Sequence, residues 1–126
     1  MEQLQTTVFV YGTLKQGFPL HGALDDKAAF ISEGWLEDHV LFSLGPFPGV
    51  QPGDGTVRGE LWEVTPQNLR ALDRVEGEGS LYDRRCVWVG LDEENQTSIM
   101  AWVYIYRGQP GPIIESGSWE AHHVTR

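Results

Sequence analysis

Residues 98–106, Ser-Ile-Met-Ala-Trp-Val-Tyr-Ile-Tyr, constrain the fold more than any other stretch of this chain. In a strand, successive side chains point to opposite faces. Trp102, Tyr104 and Tyr106 then share one face, and Ala101, Val103 and Ile105 share the other. Both faces are apolar, so both must be covered, as in a closed barrel or a sheet buried on two sides. Other extended segments are read at residues 6–11, 28–42, 57–64 and 84–89. The second has a break near Glu37-Asp38-His39. The acidic stretch at residues 90–96 makes the last two strands a hairpin. Residues 45–55 hold three Pro and four Gly and are read as a structured loop.

One helix is written clearly. Thr65 is a good N-cap, and Pro66 stands at the first helical position, where its missing N–H costs nothing. The helix is expected to run through Leu69, Leu72 and Val75 and to stop near Gly77. Residues 21–27 are read as a second, short helical turn. The expected fold class is therefore α+β: a small mixed or antiparallel β-barrel with one or two flanking short helices. The 126 residues make one domain, with a core over about 6–107 and a C-terminal tail over about 108–126.

Composition excludes partners. Lys and Arg number 9 against 18 Asp and Glu, a formal charge of −9. Nucleic acid and anionic membrane surfaces are poor partners for such a chain, which lacks the basic stripe they require. Cys86 is the single cysteine, so an intrachain disulfide and a multi-cysteine zinc site are ruled out. No signal peptide or membrane span is read, and the expectation is a cytoplasmic protein, a monomer or weak homodimer, acting on a small molecule.

Two features carry chemistry. Projected at about 100° per residue, Leu69, Leu72 and Val75 form the apolar arc of the helix, and Glu76 falls between Leu69 and Leu72. Arg70 and Arg74 fall on the solvent side and Asp73 at the edge of the arc. A carboxyl held among core residues tends to a raised pKa and is suited to taking and returning a proton. The alternative is a Glu76 that frays outward at the helix end or pairs with Arg84 or Arg85. The second feature is the strand that ends in a turn at Tyr11-Gly12-Thr13-Leu14. Backbone N–H groups leaving a strand there can converge on a carboxylate or oxyanion. Gly12 permits close approach to the backbone, and Lys15 adds a positive charge. The alternative is an ordinary strand end.

The run Val8-Phe-Val-Tyr-Gly-Thr-Leu-Lys15, the helix segment Leu72-Asp73-x-x-Glu76-Gly77, Tyr82-x-Arg84, and Phe47-Pro-Gly-Val50 followed by Gly59-Glu-Leu-Trp-Glu-Val64 occur in this order. Together they resemble the γ-glutamylcyclotransferase-like superfamily, in its AIG2-like branch that includes γ-glutamylamine cyclotransferases. The resemblance spans roughly residues 7–107. It implies a small barrel with a cavity whose floor is the turn of Tyr11, Gly12, Thr13 and Leu14, and it implies Glu76 as the catalytic residue. The implied reaction releases 5-oxoproline and a free amine from a γ-glutamyl amide, with no metal or other cofactor. Two rival readings stay open: a non-catalytic small-molecule-binding barrel, and an amide or isopeptide hydrolase using Glu76 to activate water.

Secondary candidates complete the site. Tyr82 and Tyr104 are expected to bind substrate, and Tyr106 to join the cavity wall. Arg84 is expected to order a carboxylate such as Asp73 or Asp83. The segment after the turn reads Gly17-Phe-Pro-Leu-His21, with Leu20 where related sequences carry Asn; His21 is read as lining the cavity or as a solvated loop residue. Phe47-Pro-Gly-Val50 is read as a lid or a rigid loop. Cys86 is read as a small buried hydrophobe, and His122 and His123 as part of a disordered polar tail. The leaving amine is not legible in the sequence.

Overall fold

The computed structural model describes residues 6–12, 28–76, 81–91 and 97–119. The side chains of Val75 and Glu76 lie outside the described residues, as do Thr13, Leu14, Lys15, the turn expected at 21–27, and His122 and His123.

Among the described residues, five strands and one helix follow in the order β1 (Thr6–Val10), β2 (Ala29–Ser43), β3 (Pro48–Val64), α1 (Pro66–Glu76), β4 (Tyr82–Gly90) and β5 (Ser98–Tyr106). They close into a barrel in the order β1-β3-β2-β4-β5. β1 runs antiparallel to β3 and parallel to β5, where Val8 faces Trp102, so the barrel is mixed. Closure answers the demand of a strand apolar on both faces. Ala101, Val103 and Ile105 join the barrel interior, and Tyr104, with part of Trp102 and Tyr106, packs on the outer side beneath α1.

The same alternation divides β1. Phe9 and Tyr11 point into the barrel, and Val8 and Val10 point toward the helix. α1 lays Leu72 and Leu69 on this outer patch, against Val8, Val10, Trp62, Val64, Tyr82 and Tyr104. Leu72 is fully buried, which stabilises the helix by about 1.5–3 kcal/mol. Arg70 and Arg74 are exposed. The Thr65 cap forms as expected: its Oγ1 accepts the Asn68 backbone N–H at 3.1 Å, and Asn68 Oδ1 accepts the Thr65 backbone N–H at 3.3 Å. This is a reciprocal capping box with Asn at the third position.

β2 and β3 form a long hairpin whose register shifts between Glu37 and His39. Asp38 takes φ 63° there, so the break read near Glu37-Asp38-His39 is a β-bulge that kinks the hairpin.

Residues 48–55 depart from the expected loop: they are strand, paired with β2 from Pro48↔Ser43 to Pro52↔His39. The loop shrinks to the turn around Gly45 (φ 98°), closed by Leu44 N–H donating to Phe47 O at 2.9 Å. Proline lacks a donor and suits a strand edge. β1 pairs with β3 over Glu60–Val64, leaving the earlier part of β3 as an edge where Pro48 and Pro52 fit. Phe47-Pro-Gly-Val50 is thus mostly the start of β3, with Val50 fully buried, and is not a lid.

Residues 108–119, expected as a tail beyond the core, run along the barrel and enter its core through Ile114 and Trp119. Ser43 N–H donates to Pro112 O, Ile114 N–H to Leu41 O and Arg58 N–H to Gly117 O, so the segment follows the barrel wall. It ends with Trp119 fully buried in the interior beside Ile114. Cys86 is exposed rather than buried. It lies on the same face of β4 as Tyr82 and Arg84, but farther along. Trp88 (67% exposed) and Met100 on the same part of the hairpin are exposed too, because the helix covers the other end.

Candidate functional site

Strand direction decides which residues meet. β1 and β5 are parallel, so both finish at one end of the barrel, with Tyr11-Gly12 at one terminus and Tyr106 at the other. β4 is antiparallel to β5 and begins there, with Tyr82 opposite Tyr106. β3 begins there as well, at Pro48-Gly49. α1 starts after Val64, which pairs with Thr6 at the far end of β1, and reaches β4 and β5 through Asp73. Its last residue, Glu76, comes one turn later.

Contacts at this end are close. A Cβ on Gly12 would lie 2.6 Å from Pro48 Cγ and 2.9 Å from Pro48 Cδ. What approaches the Gly12 backbone within the protein is therefore the Pro48 ring. A Cβ on Gly49 would lie 2.6 Å from the Phe42 ring and 3.1 Å from Tyr106 Cβ. The Tyr82 hydroxyl donates to Pro48 O at 2.8 Å, and its ring meets Tyr106 edge-on at 5.5 Å between centroids. Tyr106 in turn meets Phe42 edge-on at 5.8 Å. Gly12 and Tyr82 thus meet the same proline, one at its ring and the other at its carbonyl oxygen. Nothing in the sequence linked Phe47-Pro-Gly-Val50 to them by a contact, since the pairing depends on how β3 folds back.

The remaining candidates lie just below. The Tyr11 hydroxyl donates to the backbone oxygen of Tyr104, and the ring packs in the barrel interior near Phe9. Tyr104 is 2% exposed, and its hydroxyl donates to Asp73 Oδ1 at 2.7 Å. A substrate contact through that hydroxyl, as the sequence reading expected, competes with this bond. Arg84 orders Asp73 as expected, through Nε to Oδ1 at 2.8 Å and Nη2 to Oδ2 at 3.1 Å. Its guanidinium also lies 4.3 Å from the Trp102 ring centroid, a favourable cation–π distance. The bond from Tyr104 was missed, because the register that sets it beside Arg84 is not legible locally.

On the other face of the β4–β5 hairpin, and reached around Tyr106, is an open depression of about 320 Å³. Gln51, Asp83, Arg85 and Arg107 line it in part. Arg107 Nε lies 3.7 Å from Asp83 Oδ1, with both side chains nearly half exposed. Among the described residues, no three His, Cys, Asp or Glu side chains come together as metal ligands would, and no helix is long and apolar enough to cross a membrane.

A mixed barrel in which Gly12 and Tyr82 meet at Pro48 can be set beside known proteins. The family model for γ-glutamyl cyclotransferase, AIG2-like, matches residues 8–121. The chain is 34% identical over 116 residues to the γ-glutamylcyclotransferase family protein YtfP of Escherichia coli, covering 89% of this chain and 94% of that one. A mouse AIG2-like protein superposes with a TM-score of 0.78 at 35% identity, over 88% of this chain and 86% of that one. An uncharacterized Pyrococcus horikoshii protein superposes at 0.77 with 28% identity, over 95% and 94%. The chain belongs to the AIG2-like γ-glutamyl cyclotransferase family.

Proposed function

We propose that this protein is a γ-glutamyl or γ-glutamylamine cyclotransferase that releases 5-oxoproline and a free amine from a γ-glutamyl amide. The observation that carries the reading is the convergence at one end of the barrel. The end of β1 at Gly12 and the Tyr82 that opens β4 meet there at Pro48, and α1 runs toward that end past Asp73. Family membership supports it.

The reaction needs few groups. The substrate carries its own nucleophile, the α-amino nitrogen. Glu76 takes a proton from that nitrogen as it bonds to the γ-carbonyl carbon and closes a five-membered lactam. The bond from this carbon to the leaving nitrogen breaks, and the protonated Glu76 returns the proton to the departing amine. Intramolecular attack in a held geometry lowers the barrier by on the order of 7–11 kcal/mol. Backbone N–H groups of Gly12, Thr13 and Leu14 are assigned to the substrate carboxylate or the developing oxyanion. Tyr82 is assigned to the wall.

The test is turnover. The protein is incubated with γ-glutamyl-ε-lysine, γ-glutamyl dipeptides, glutathione and a γ-glutamylated polyamine, and 5-oxoproline is assayed. Glu76→Gln is expected to lower kcat by about 10²–10⁴-fold, the range for a general base. Lactam formation that survives this substitution overturns the mechanism. Free glutamate in place of 5-oxoproline points to a hydrolase, and binding without turnover to a non-catalytic barrel.

A further inference from the structure

Asp73 lies one helical turn before Glu76 and joins α1 to both strands of the β4–β5 hairpin. Its Oδ1 accepts from Arg84 Nε at 2.8 Å and from the Tyr104 hydroxyl at 2.7 Å, and its Oδ2 accepts from Arg84 Nη2 at 3.1 Å. Arg84 and Tyr104 face each other across the hairpin, two residues along from Tyr82↔Tyr106 and on the same face. One carboxylate therefore fixes the end of α1 against that pair.

This bond set has features of a positioning device. The fork of Arg84 matches a carboxylate in two parallel bonds, which restricts orientation as well as distance. The guanidinium also lies over the Trp102 ring, 4.3 Å from its centroid. The Asp73 and Arg84 side chains are each 21% exposed, so solvent screening limits what the pair adds to stability. The last turn of a helix also has carbonyls without intrahelical partners and tends to fray, so a residue on that turn is held only as well as its side-chain anchors hold it.

We infer that Asp73, clamped by Arg84 and Tyr104, is a positioning residue for Glu76: it sets the distance from the general base to the substrate held at the Gly12 turn and Tyr82. The inference rests on the proposed function. It reassigns Tyr104, whose hydroxyl acts through Asp73 and not on substrate. Misplacing a reacting group by about 1 Å costs on the order of 10²-fold in rate, so the effect falls on kcat.

The experiment compares wild type, Asp73→Asn, Tyr104→Phe and the double variant for kcat, KM and thermal midpoint. Asp73→Asn keeps the shape but turns an amide toward the guanidinium. It is expected to lower kcat by about 10- to 100-fold, with KM within about threefold of wild type and the far-ultraviolet circular dichroism unchanged. Tyr104→Phe, a milder change that keeps the ring, is expected to lower kcat by a smaller factor. The double variant is expected to be no worse than Asp73→Asn alone, as for groups that act as one unit. A kcat for Asp73→Asn within about twofold of wild type overturns the inference. So does a loss matched by the unfolded fraction, or a Tyr104→Phe effect that falls on KM and multiplies with that of Asp73→Asn.

Wild type making no 5-oxoproline from any glutamyl amide is failure of the proposed function. Positioning is then read from the Glu76 carboxyl carbon by NMR titration. A midpoint that differs between wild type and Tyr104→Phe, which removes a bond to Asp73 but no charge, supports the clamp, and an identical midpoint overturns it.

Discussion

The barrel interior and the patch beneath α1 are both buried, and they are built differently. The interior is mostly aliphatic, with Leu36, Leu41, Val50, Val57, Leu61, Val89 and Val103 at its centre. The patch beneath α1 is richer in aromatics that carry a polar tip: Trp62, Tyr82 and Tyr104, with Trp102 and Tyr106 at its margin. Those tips are engaged. Trp62 Nε1 donates to Glu60 Oε1 at 3.0 Å, Tyr82 to Pro48 O and Tyr104 to Asp73. Hydrocarbon contacts are non-directional and stabilise in proportion to buried area. Hydrogen bonds are directional and fix position. The interior therefore supplies stability, and the outer patch supplies geometry where α1 meets the site.

Substitutions can separate these roles. The largest expected effect is in the interior: Trp119→Ala should destabilise the protein by about 3–5 kcal/mol, read by urea unfolding. The kcat of the folded fraction should stay unchanged. A loss below about 1 kcal/mol would mean that residues 108–119 do not belong to the core.

Gly12→Ala probes the other region. Its Cβ would meet the Pro48 ring, and overpacking of this kind costs about 1–3 kcal/mol. Because Pro48 O also holds Tyr82, the loss of 5-oxoproline formation should exceed what unfolding accounts for. Equal losses in stability and activity would blur the distinction between the two regions. Thr65→Ala removes one side of the capping box at the far end of α1. It should cost about 1 kcal/mol in thermal or urea unfolding, with little effect on kcat. Cys86→Ser, on the exposed part of the hairpin, should shift stability by no more than about 0.5 kcal/mol. A larger shift would show that this face is covered.

Features that depend on neighbours in sequence were legible. The Thr65 cap, the Pro66 start and the arc of Leu69 and Leu72 follow from helix geometry alone. The bulge at Asp38 was visible as a polar break in an extended run. The β4–β5 pair was visible as two strands around an acidic turn. Features that depend on a distant partner were not. Residues 48–55 read as loop because prolines and glycines break most strands, and only an edge position with β2 alongside admits them. Cys86 read as buried because it alternates with an aromatic, whereas coverage of that face stops where α1 stops. Trp119 read as tail because its sequence neighbours are polar. In the site, Arg84 and Asp73 were paired in advance on charge, but Tyr104 was not, because its place beside Arg84 is set by strand register.

By itself the sequence determined a small barrel with both faces of its last strand covered, the single clear helix and the family. A strand apolar on both faces must be covered on both, and helix caps and turns act over a few residues. The tertiary structure alone decided that Gly12, Pro48 and Tyr82 form one contact, that residues 108–119 follow the barrel wall and place Ile114 and Trp119 in the interior, and that Asp73 ties the end of α1 to two strands. Those outcomes depend on which strand lies beside which, in which direction and in which register. Pairings between residues tens of positions apart leave no local trace in the chain.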